Sequence, residues 1–253
     1  MTLLRISLPT FPPHDFRVAE IDGAGELLAD PGDPGSVRAI ILHVVRDAPD
    51  GWLGRLPIAI FDRLCATIFA SLFGDSADCR SDCRKCGESF TFQFDISELI
   101  SIQDVAAEAT GLTLGTDGCW SAKAGLSIRP PTLGDLDQNA SPEMLRRSLV
   151  TKGDATDSDV EQLIEAASPL LTLSIGTQCP HCDEPQEVGF DMAGYLVASI
   201  GAERAFLIRE THLLASRYGW TRESIMALPR GDRRAYAALI ESERSAALSR
   251  RSA

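Results

Sequence analysis

Four of the seven cysteines stand in two Cys-x-x-Cys pairs, Cys83 with Cys86 and Cys179 with Cys182. The residues around them repeat. Residues 83–96 align without a gap on residues 179–192, at an offset of 179 − 83 = 96. Both cysteines of each pair are identical, as are Glu88 and Glu184, Phe94 and Phe190, and Asp95 and Asp191, and Phe92 faces Val188 in the same apolar alternation. Two residues between cysteines let one tight turn aim both sulfurs at a common point. Two such turns complete the tetrahedral thiolate shell that zinc prefers in closed structural sites. A single structural zinc on Cys83, Cys86, Cys179 and Cys182 is therefore the leading expectation. The alternatives are a hairpin pair that has lost its metal and a redox role. The redox role lacks the βαβ context of thioredoxin-like motifs.

Each copy reads as a thiol-bearing turn, a strand, and an aspartate that caps the start of a helix. A zinc with four thiolates has no open position, so it should staple the two hairpins across 179 − 86 − 1 = 92 intervening residues. Cys79, separated by three residues from the start of the first pair, and His181, inside the second turn, are spare donors that read as bystanders. Cys65 falls on an apolar helical stripe and reads as core. No role is legible for Cys119.

The elements that must position these turns divide the chain into four segments and an α+β class: duplicated zinc-ribbon-like β-hairpins with a helical insertion and a helical C-terminal tail. Residues 1–55 are rich in Pro and Gly (Pro9, Pro12, Pro13, then 30–35), with short strands expected near 3–8 and 17–21. Residues 56–110 carry a helix from Pro57, with Ile60, Leu64, Ile68 and Leu72 at helical spacing and Gly74 as its stop, and then the first hairpin. Residues 111–170 form a central insertion. It holds a strand at Leu126–Ile128 and helix starts at Thr132 (with Asp135), Ser141 (before Pro142) and Ser158 (with Glu161), and residues 152–159 read as a mobile polar loop. Residues 171–253 contain an alternating strand (Leu171, Leu173, Ile175), the second hairpin and the terminal helices. One of these ends at Gly219, a short one is capped by Thr221, and the last, from about Asp232, is expected to bury Tyr236, Leu239 and Ile240 before its arginines (Arg244, Arg250, Arg251) fray into solvent.

A net charge of −12 (24 basic against 36 acidic residues) argues against gripping nucleic-acid backbone as a main task. The longest apolar stretch, 56–73, is interrupted by Asp62 and Arg63 and falls short of a membrane span. The N-terminus lacks the order of a secretory signal, so a cytoplasmic protein is expected. His14, His43, His181 and His212 are scattered, with His212 expected partly buried mid-helix, and Gly23 and Gly25 open no phosphate loop. The residues make no case for an enzyme.

The tail carries a resemblance. Residues 209–228, including Tyr218-Gly-Trp220 and the Ile225-x-x-Leu228 turn, followed by Arg233-Arg-Ala-Tyr236, resemble the T4-type baseplate hub assembly chaperones of contractile phages and tail-like injection systems. The strand-to-helix turn at 128–136 and the cysteine hairpin at 179–196 resemble the same family, over about residues 56–241. The resemblance implies a non-enzymatic role in building the central hub of a tail baseplate, with hub or spike proteins as partners and no membrane. Tyr218, Trp220, Arg233, Arg234 and Tyr236 are candidate partner-binding residues, since Tyr, Trp and Arg concentrate in interface hot spots. Two other readings remain open: a permanent structural baseplate subunit, and a zinc-ribbon nucleic-acid-binding regulator using Arg222, Arg230, Arg233 and Arg234.

Overall fold

A computed structural model describes the chain apart from residues 9–10, 109–110, 123–124, 139–140, 155 and 252–253. The fold is mixed helix and sheet, with small antiparallel sheets. By contacts it groups into two compact units. One comprises Met1–Leu3, Arg17–Asp47 and Gly194–Ala253, and the other Leu4–Phe16 and Ala48–Ala193. Among the described residues no helix is long and apolar enough to cross a membrane.

In chain order, strands β1 (Thr2–Leu8) and β2 (Phe11–Val18) come first. The turn at Pro9 lies outside the described residues. Arg17 and Val18, at the end of β2, pair with Arg46 and Val45 of β3 (Val45–Arg46). The strand expected to reach Ile21 stops at Val18 because Asp22 opens a short helix, α1 (Gly23–Glu26), accepting the Gly25 N–H at 2.8 Å. Helix α2 (Ser36–Val44) follows, and His43 near its end meets Asp22 at 2.8 Å.

Helix α3 (Ile58–Phe73) runs from Pro57 to Gly74, whose φ of 88° suits a residue without a side chain. Its stripe of Ile60, Phe61, Leu64, Cys65, Ile68 and Phe69 is buried as its spacing predicts, Leu72 at the stripe's end is half-buried, and Cys65 is a core residue. Asp62 and Arg63 are buried as well, so α3 is enclosed on nearly all sides. Arg63 pairs with Asp104 at 2.7 Å, and Asp62 accepts the backbone N–H of Leu171 at 2.9 Å. The first hairpin, β4 (Ser76–Asp82) with β5 (Ser89–Asp95), leads into α4 (Ile96–Glu108).

The central stretch holds an antiparallel sheet in the order β6 (Thr113–Leu114), β7 (Trp120–Ser121), β8 (Ser127–Ile128), β9 (Val150–Lys152). Helices α5 (Leu133–Gln138) and α6 (Pro142–Leu149) lie between β8 and β9. Both start at the expected caps. Asp135 accepts from the Thr132 backbone and hydroxyl, each at 2.8 Å, and Ser141 accepts from Met144. Arg129 forks onto both Asp135 oxygens at 2.6 Å and, as the largest influence, holds that carboxyl down at about 2. Helix α7 (Asp157–Ala167) begins earlier than Ser158 would place it. Thr156 and Asp159 form the reciprocal capping box instead, since Thr156 sits three residues before a carboxylate that can reach back to its N–H. β9 runs to Lys152 and α7 starts at Asp157, so both ends of the expected mobile loop over 152–159 lie in regular elements.

The second hairpin, β10 (Thr172–Gln178) with β11 (Pro185–Asp191), leads into α8 (Met192–Ala202). Then come α9 (Arg204–Tyr218), ended by Gly219 at φ 67°, α10 (Arg222–Met226), capped by Thr221, and α11 (Arg230–Arg251). Two expectations about this tail fail. His212 is exposed, and α11 buries Arg233, Ala237 and Ile240 while Tyr236 (40% exposed) and Leu239 (51%) face outward. Helical phase explains the second, because 233, 237 and 240 share one face and 236 and 239 lie beside it. Arg244 is exposed, α11 continues to Arg251, and the side chains of Arg250 and Arg251 lie outside the described residues.

Candidate metal centre

The 96-residue offset survives in three dimensions. In the first hairpin Ser76 pairs with Asp95 and Asp82 with Ser89; in the second Thr172 pairs with Asp191 and Gln178 with Pro185, each shifted by 96. The turns match bond for bond. Cys83 N–H donates to the Glu88 carbonyl at 3.0 Å and Gly87 N–H to the Cys83 carbonyl at 2.9 Å; Cys179 to Glu184 and Asp183 to Cys179 repeat both distances. The residue after each second cysteine has positive φ, 75° at Gly87 and 56° at Asp183. Aspartate tolerates this left-handed conformation better than most side-chain-bearing residues, which is why the turn survives with Gly in one copy and Asp in the other.

The copies differ at their helix starts. Asp191 accepts the Ala193 N–H at 3.2 Å, as its expected capping role requires. At the start of α4 the backbone of Ser97 donates instead to Asp75, at 3.0 Å, from the other end of the hairpin.

The two turns meet. Cys83 Sγ lies 3.6 Å from Cys182 Sγ, Cys86 Sγ 3.7 Å from Cys179 Sγ, and all four sulfurs fall within 4.8 Å of one another. Bonded sulfurs would be about 2.05 Å apart, so these are free thiols. The edge of a tetrahedron with metal–sulfur bonds of about 2.3 Å is about 3.8 Å, close to both short separations. Cys83 and Cys179 are buried with Phe90, with Phe92 and Cys182 packed against them; Cys182 is half-buried and Cys86 exposed. Phe94 meets Phe190 edge to face at 5.0 Å, which joins the hairpins below the thiols.

Four sulfurs this close cannot all be thiolates without a cation among them. The backbone N–H of Cys86, against desolvation and with help from Lys85 N–H, holds the Cys83 thiol down at about 6. The backbone N–H of Glu184 draws Cys182 down, but desolvation and the three neighbouring thiols push it up to about 12. The turns thus supply donors for thiolate while the thiols oppose one another, a conflict that a bound cation would relieve.

Among the described residues, no other group of three or more His, Cys, Asp or Glu side chains could hold a metal ion. Cys79 sits within β4 opposite Phe92, Cys119 lies in the turn before β7, and His181 lines an open cavity with Phe90 and Pro180. Sequence reading missed Gln186, buried beside Cys83; its signal was a polar residue where the first copy has Phe90.

The candidate partner residues separate into two groups. Tyr218 stacks on Trp220 at 5.0 Å, and Tyr236 meets both edge-on at 6.0 and 5.3 Å, each ring 37–40% exposed. Arg233 does not belong with them. It is 1% exposed, its Nε donates to Glu210 at 2.7 Å, and another nitrogen pairs with Glu26. Arg230 pairs with Glu26 at 2.7 Å and Glu203 at 3.0 Å, and Arg234, 43% exposed at its side chain, also pairs with Glu203. These carboxylates, spread over 26–210 in sequence, could not be matched to Arg233 from spacing. No family model, curated protein or solved structure matches this chain.

Proposed function

We propose that Cys83, Cys86, Cys179 and Cys182 hold one zinc ion as a closed structural site, and that the chain is a zinc-stapled protein-interaction module acting as an assembly chaperone for a contractile-tail baseplate hub. One observation carries the metal reading: two matched turns bring four thiols within 4.8 Å. Four sulfur donors suit zinc, which gains nothing from the oxygen ligands that magnesium or calcium require. With all four positions filled by protein the ion would polarise no substrate, so its contribution is to folding. The duplicated hairpins are then two zinc-ribbon-like halves of one site.

The chaperone reading rests on the Tyr218-Gly-Trp220 and Arg233-Arg-Ala-Tyr236 resemblance, supported by the half-exposed cluster of Tyr218, Trp220 and Tyr236. The proposed clients are hub or spike proteins, met in the bacterial cytoplasm. Capture of baseplate components by the tagged chain tests this, with Trp220→Ala expected to reduce capture while far-ultraviolet circular dichroism stays unchanged. Mass spectrometry of finished tail particles should find the chain absent or sub-stoichiometric. Full occupancy would make it a permanent subunit instead.

A further inference from the structure

Gln186 and Phe90 occupy the same position in the two copies (186 − 96 = 90), and both are buried, at 5% and 4% exposure. Each belongs to one hairpin and serves the turn of the other. Gln186 Oε1 accepts the backbone N–H of Arg84 at 3.1 Å, and its Nε2 lies 3.5 Å from Cys83 Sγ and 3.4 Å from the Glu184 carbonyl. The residue equivalent to Arg84 in the second turn is Pro180 (84 + 96), which has no N–H to satisfy. Phe90 lines a cavity with Pro180 and offers no acceptor, so the copies are complementary. A turn with a donor faces an amide, and a turn without one faces a ring.

A buried amide beside a buried thiol is costly unless its groups are partnered, and here both ends are. Hydrogen bonds from outside the ligand shell fix ligand orientation and lower the electron density that a thiolate gives its metal. We infer that Gln186 is the positioning residue of the metal centre, holding Cys83 in its ligating orientation through an N–H···S contact and tying the first turn to the second hairpin through Arg84. This rests on the metal reading above. It also makes the two halves of the site unequal, with the Cys83 thiolate the less electron-rich donor.

Cobalt(II) loaded into the full chain provides the test, because thiolate-to-cobalt charge-transfer bands report sulfur electron density and a merely structural role would leave them in place. Gln186→Leu should move the charge-transfer band to lower energy and weaken cobalt binding about 10-fold in chelator competition. Gln186→Glu, nearly identical in shape, keeps an acceptor for Arg84 but loses the N–H toward sulfur, and it decides the matter if the leucine variant does not fold. Arg84→Pro combined with Gln186→Phe recreates the second copy's pairing and should lose less affinity than the sum of the two single variants. Unchanged bands and affinity in Gln186→Glu, or strict additivity in the pair, would overturn the inference. A wild-type chain that takes up no cobalt would instead overturn the metal centre itself.

Discussion

Replacing one thiol by a hydroxyl separates ligands from bystanders. Cys179→Ser should abolish stoichiometric zinc and the loss of melting temperature that a chelator causes in the native chain, whereas Cys79→Ser should change neither; metal analysis alongside thermal melts reads both. Asp62 makes a second prediction, this time about pH. Its burial, opposed by the Leu171 N–H and reinforced by Asp191, raises the carboxyl from 3.8 to about 6. A carboxyl raised in the folded state weakens the fold when ionised, so this contribution improves as pH falls through about 6 towards 4 and is worst above it. Asp62→Asn still accepts from Leu171 and carries no charge. It should be more stable than the native chain at pH 7.5, by up to about 3 kcal/mol for a shift of about two units, and lose most of that advantage by pH 4.5. Comparing the two proteins at each pH cancels any loss of metal in acid that they share. The convergence of the four cysteines and the burial of Cys65 were legible at this scale, because spacing and apolar periodicity speak directly about residues. Arg233 was misplaced for the opposite reason: an arginine in an aromatic-rich tail looks like a surface group until Glu26 and Glu210 are seen beside it.

At the level of elements, the repeated turn and strand were readable from the 96-residue offset, while the cap expected at Asp95 was not found there. A turn that must present two sulfurs and place positive φ after the second cysteine leaves little freedom, and the 96-residue offset carried that constraint twice. Caps at Thr132, Ser141 and Thr221 were legible because capping is local. The start of α7 was missed because two adjacent capping patterns competed and the earlier one could close a reciprocal box. Long-range element pairings were not legible at all. The turn before α5 pairs with the one before α3, Ile58 N–H donating to the Pro131 carbonyl and Leu133 N–H to the Leu56 carbonyl, so that Gly134 faces Gly54. A Cβ on Gly134 would stand 2.8 Å from the Gly54 carbonyl oxygen. Gly134→Ala, otherwise favourable in a helix, should therefore destabilise the chain by about 1–3 kcal/mol in urea titrations. In the tail, Arg233→Ala leaves Glu26 and Glu210 buried with less compensation and should cost about 3–5 kcal/mol, far more than Arg234→Ala at its exposed neighbour.

For the whole molecule, the α+β class followed from alternating and helical patterns, but the grouping into two units did not. Residues 17–47 join the C-terminal helices in one unit, a partnership set by packing between segments far apart in sequence. All four thiols belong to the other unit and the exposed aromatic cluster to the first, so the proposed metal site and the proposed partner surface can be tested separately: chelation should disturb the hairpins before it alters Trp220 fluorescence. The most direct test of the central claim is zinc K-edge X-ray absorption, with metal content measured on the same sample, on the 253-residue chain purified without chelators. The expected result is about one zinc per chain with four sulfurs at about 2.3 Å and no lighter ligand. Protein without metal, or zinc bound through nitrogen or oxygen donors, would contradict it.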